Sequence, residues 1–161
     1  MYVKSIKSVL AAATLFGFLP FAASGKAQRG AEAAKSLRCT FPLNATGTWK
    51  KDGSPDAAVS PASLVLLFDS INVDEGTAQI RNGSVETDLI VRAAAGYLNL
   101  IQAFRTGPLY TTTVFDKETN GGKLKAVHSR HEYFTTPLAG ATSSPEQYYG
   151  ECEVTGRQSG Q

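Results

Sequence analysis

The segment His128-Ser129-Arg130-His131-Glu132 holds both histidines of the chain, beside a hydroxyl, a guanidinium and a carboxyl group. These are the parts of a nucleophile with its base, or of a metal site. Spacing decides what they can do. In an extended strand, successive side chains point to opposite faces. His128 and Arg130 then share a face with Leu124 and Ala126, while Ser129 and His131 share the other with Val127 and Tyr133. Histidines on opposite faces do not ligate one metal unless a bulge intervenes, so no metal site is expected. Ser129 and His131 stand about 7 Å apart along a strand, which is awkward for direct proton transfer. The favoured reading is a partly buried polar strand with Arg130 paired to a neighbouring acid. The alternative is a small secreted hydrolase with His128, Ser129 and His131 as its catalytic groups.

Other candidates are fewer. Thr111-Thr112-Thr113 fits ordinary strand propensity, with a hydroxyl lining for a polar ligand as the functional alternative. Asp69, Asp74 and Glu75 bracket Gly76, but the spacing of a calcium loop is absent, so they read as turn acids. The aromatic pairs Tyr133-Phe134 and Tyr148-Tyr149 flank the small-residue segment 135–145, a candidate loop over a pocket mouth or the recognition loop of an inhibitor. If a small ligand is held, inward residues of 97–104 and 109–115 should line its pocket. The candidate contacts are Trp49, Tyr97, Tyr110, Thr111, Thr113 and Arg130. No cofactor is expected.

These residues sit on short apolar or alternating runs separated by turn signals, the pattern of an all-β domain. Strands are expected at 37–43, 46–50, 63–71, 78–81, 85–91, 97–104, 109–116, 123–133 and 147–154. Residues 63–71 are apolar on both faces and are expected to be central and buried. Asn82-Gly83 is a strong hairpin signal. Across 89–104 two periods compete: Leu89, Ala93, Tyr97 and Ile101 recur at helical spacing, while Leu98, Leu100 and Gln102 alternate. Gly96 favours two strands with an Ala/Gly connection. The fold class is therefore all-β: an antiparallel meander of about eight strands, rolled into a barrel or folded as a sandwich and closed by one disulfide.

Gly47-Thr48-Trp49, early in this β-rich domain, resembles the Gly-x-Trp of the first strand in calycin barrels, the lipocalins and avidins. The avidin version is the more similar. The resemblance implies a calycin-like barrel in which Trp49 helps plug one end and a ligand occupies the other. The run of tryptophans found in avidins is absent, Trp49 being the only one.

Residues 1–27 read as a signal peptide. Lys4 and Lys7 precede the apolar run 9–21, and small residues follow, with cleavage after Ser24 or Ala27. The run is shorter than the roughly 20 residues of a spanning helix, so the mature chain is expected to carry no integral membrane segment. Residues 28–36 read as a flexible leader, 37–155 as a single β domain and 156–161 as a frayed tail. The full chain of 161 residues has a formal charge of +2. Cutting after Ala27 removes three of the 16 basic residues and none of the 14 acidic ones, leaving 13 against 14. A near-neutral domain argues against nucleic acid as a partner. Cys39 and Cys152 fall near the two ends of the domain and are expected to pair in an oxidising, secreted or periplasmic setting. Together these features suggest a non-enzymatic exported binding module for a small ligand or protein partner. The rivals are the hydrolase and an envelope-associated inhibitor or interaction protein.

Overall fold

The computed structural model describes residues 30–82, 85–132 and 144–155. The signal segment, most of the 133–145 loop and the tail lie outside them. Eight antiparallel strands follow one another in a single sheet: β1 (Leu37–Trp49), β2 (Pro55–Asn72), β3 (Thr77–Asn82), β4 (Val85–Ala94), β5 (Tyr97–Ala103), β6 (Leu109–Glu118), β7 (Leu124–His131) and β8 (Glu146–Val154). Each pairs with the next, and β1 pairs with β8, so the meander closes into a barrel rather than a sandwich. Among the described residues no helix is long and apolar enough to cross a membrane.

Three expectations change. The two strands expected at 37–43 and 46–50 are one strand, β1, with a bulge between Thr40 and Leu43. The bulge reverses the strand's facing: Cys39 and Phe41 are buried, whereas Leu43 faces out, 41% exposed. The apolar run 63–71 is not buried on both faces. It belongs to β2, where Phe68 is buried but Val65 and Leu67 lie on the outer wall. A closed barrel leaves one face of every strand to solvent, so an apolar residue on that face gains little cover. Residues 30–36 are not a loose leader. A 3-10 turn at Ala31–Ala33 packs against β5 and β6, with Ala31 and Ala34 in the core.

That turn covers the end of the barrel where β1 begins. Beneath it the interior is filled by Leu37, Phe68, Ile71, Val91, Leu98 and Val114, all buried. Cys39 and Cys152 sit directly opposite each other on β1 and β8 and form a disulfide. Residues 89–104 are indeed two strands. Ala95 and Gly96 join them, both at positive φ, the two-residue turn that suits the twist of a hairpin. Trp49 does not plug an end: it terminates β1 on the projecting β1–β2 ribbon and is 57% exposed.

Candidate functional site

Strand register arranges the inward side chains into rows around the wall. One row runs Leu98, Val114, Ala126, Gly150 across β5 to β8 and is apolar. The next runs Leu100, Thr112, His128, Tyr148 and reaches Asn44 on β1. The row above runs Gln102, Tyr110, Arg130, Glu146 and reaches Thr46. Polarity therefore rises over two steps of the pleat, from a packed floor to a polar mouth on the side away from the 3-10 turn.

Arg130 is the hub of the upper rows. Its guanidinium lies over the rings of Tyr110 and Tyr148, 5.4 and 5.3 Å from their centroids, within cation–π distance of both. Its Nε donates to His128 Nε2 at 3.3 Å. That bond settles the histidine tautomer. Nε2 must accept, so the ring proton sits on Nδ1 and is donated to Thr112 Oγ1 at 2.8 Å. Burial among Phe41, Tyr110 and Tyr148 disfavours a charged ring, and the Arg130 charge adds to this, so the His128 pKa falls to about 4. His128 is a neutral brace for Arg130 at ordinary pH.

The acids near this hub are engaged by tyrosines. Tyr110 donates its hydroxyl to Glu132 at 2.6 Å, and Tyr148 donates to Glu146. Burial first, and then those carboxylates, push both phenol pKa values up to about 12, so both remain O–H donors. The expected ion pair of Arg130 is not found: no carboxylate among the described residues stands within salt-bridge distance of it.

A cavity of about 480 Å³ opens beside this cluster. Leu64, Leu66 and Ile80 on β2 and β3 form an aliphatic wall, and Gln102, Tyr110 and Arg130 form the polar wall opposite. Its volume lies within the range of small-molecule sites. A second hollow of about 270 Å³ lies on the β1–β8 side and is bordered by Arg130 and Glu146.

Of the residues singled out in the sequence, the structure brings Tyr110, His128 and Arg130 together. It separates the others. Ser129 faces out and accepts from Gln147 Nε2 at 3.3 Å, and His131 is exposed, so neither joins His128. Tyr97 packs its ring edge-on against Phe115, outside the cavity. Thr113 donates to Asn99 at 2.8 Å, and Thr111 shares its parity, so the inward threonine is Thr112. Asp74 and Glu75 lie in the β2–β3 turn, and Asp69 pairs with Arg81 at 3.3 Å. Among the described residues no three His, Cys, Asp or Glu groups are placed to hold a metal. In the sequence Thr112, Glu132, Tyr148 and Gln102 stand out only as members of runs, not as individual contacts, and Glu146 does not stand out at all. Parity was the available signal, since Tyr148 and Glu146 alternate with buried Cys152, and Glu132 with His128. Compared with family models, curated proteins and solved structures, the chain matches none of them.

Proposed function

We propose that the protein is an exported, non-enzymatic binding module that holds a small ligand in the open half of its barrel. The observation that carries this reading is the cavity itself. One half of the interior is solidly packed, while the other keeps about 480 Å³ between an aliphatic and a polar wall. Small-ligand sites combine an apolar lining with a few convergent polar groups, and barrels place such sites in their mouths. The export part rests on the signal-like N-terminus and on the buried disulfide, which suits an oxidising compartment.

Native mass spectrometry of the protein recovered from its own host's exported fraction tests it. A reproducible mass increment over the denatured chain is expected. A bare polypeptide mass in every preparation would sink the small-ligand reading. A protein partner is the second reading, favoured by the apolar outer face of the β1–β2 ribbon. There Leu43, Val59 and Trp49 fall on one strand face, Val59 at 68% exposed. A mass equal to the chain plus a second polypeptide would favour it.

A further inference from the structure

The cavity's charge is one-sided. Two arginines, Arg81 and Arg130, border it, and no Asp or Glu does among the described residues. Arg81 is already matched outside by Asp69 and Glu86, each at 3.3 Å. Arg130 has no carboxylate within salt-bridge distance among the described residues. Its Nε is spent on His128, and two tyrosine rings clamp the guanidinium plane. The two terminal nitrogens have no hydrogen-bond acceptor among the described residues. A guanidinium fork of this kind meets a carboxylate with two parallel N–H bonds.

We propose that Arg130 is the anion-recognising group of this cavity and that its ligand is a small amphipathic monocarboxylate. The carboxylate lies on the terminal nitrogens of Arg130, within reach of the Gln102 amide. The apolar body lies against Leu64, Leu66 and Ile80. One negative charge fits better than two. Glu132 and Glu146 stand behind the tyrosines, where their fields already act on both phenols. A dianionic phosphate would carry a second charge against them, whereas a monocarboxylate is balanced by Arg130 alone. His128 is a positioning residue: bonded to Thr112 on one side and Arg130 on the other, it fixes the plane of the fork.

This proposal rests on the cavity being a ligand site, and the test separates the two. Decanoate, decan-1-ol and decyltrimethylammonium, each below its aggregation limit, are titrated calorimetrically into the purified full-length protein. Decanoate is expected to bind roughly 10- to 100-fold tighter than the alcohol, the range of a hydrogen-bonded charge. Arg130→Gln is expected to remove the preference of the cavity for decanoate over the alcohol. If the alcohol binds as well as the carboxylate, or the ammonium binds better than both, the carboxylate assignment falls while the cavity reading stands. If none of the three binds, both fall. The wild-type comparison decides even if Arg130→Gln does not fold.

Discussion

His128 is buried, neutral and hydrogen-bonded on both ring nitrogens, which makes its titration a probe of the polar rows. Its pKa is about 4 in the folded protein against the usual 6.5 of a free histidine. The unfolded chain therefore takes up a proton between those values while the folded one does not. By linkage, the contribution is complete above about pH 6.5 and is lost as pH falls toward 4, where both states are protonated. The loss amounts to at most about 3 kcal/mol. Urea unfolding at a series of pH values should show this decline in the wild type and a shallower one in His128→Gln. Parallel curves would mean that His128 is not buried neutral. At this scale the sequence was half legible. Alternation correctly put His128 and Arg130 on the face of Leu124 and Ala126 and separated them from Ser129 and His131. The same rule, carried one strand along, would have chosen Thr112 over Thr111 and Thr113. What alternation could not show is that Arg130 lies against Tyr148, because that depends on the register between β7 and β8, across a loop that carries no register signal.

At the scale of elements, turn chemistry was the strongest guide. Ala95-Gly96 marks a link between strands, and the structure joins β4 to β5 there, while Gly83 of the Asn82-Gly83 signal lies outside the described residues, though β3 and β4 pair directly on either side of it. Strand length was less legible. The sequence reads as two strands, 37–43 and 46–50, yet β1 runs through both because β2 and β8 pair with it on either side. The bulge near Pro42 has a counterpart on β8. A side chain at Gly150 would place its Cβ 2.0 Å from the Thr40 carbonyl oxygen and 2.8 Å from Phe41 Cα. Both obstacles are backbone, so no rotamer change relieves them. Gly150→Ala should cost about 1–3 kcal/mol by forcing β1 and β8 apart, read as a fall in the urea midpoint with the slope unchanged. An unchanged midpoint would show that the strands can move apart freely at the bulge. The consequence reaches the site, since Gly150 shares its strand face with Tyr148 and Glu146.

For the whole molecule, the question is what holds the ring shut. Seven of the strand pairs join sequence neighbours and can form locally, but β1 meets β8 only after the rest of the sheet has curled. That late contact carries the largest loss of chain entropy. The disulfide lies in this seam, between residues 113 apart. A loop of that size gives a stabilisation of about 5 kcal/mol when the entropy loss is assigned to the unfolded chain. This is comparable with the whole net stability of many domains. The expectation of a bond between first and last strands came from the oxidising setting and from the even cysteine count, and the closed sheet supplies its physical reason. Both sulfurs are fully buried among apolar side chains, so reductant reaches them only when the seam opens. Two outcomes follow from that burial. In native buffer, dithiothreitol should reduce the bond slowly, and in strong urea quickly, as followed by thiol labelling. Once reduced, or in a Cys39→Ala/Cys152→Ala variant, the urea midpoint should fall by the equivalent of about 5 kcal/mol. The seam should then be the first part to exchange its amide hydrogens, because β1 and β8 keep their ladder but lose the link that made their meeting cheap. Equal exchange protection across all eight strands would mean that the ladder alone holds the barrel closed. Opening of the seam would also loosen Tyr148 and Glu146 on β8, so under the binding function proposed above, retention in the mouth should weaken in the reduced protein before global unfolding begins.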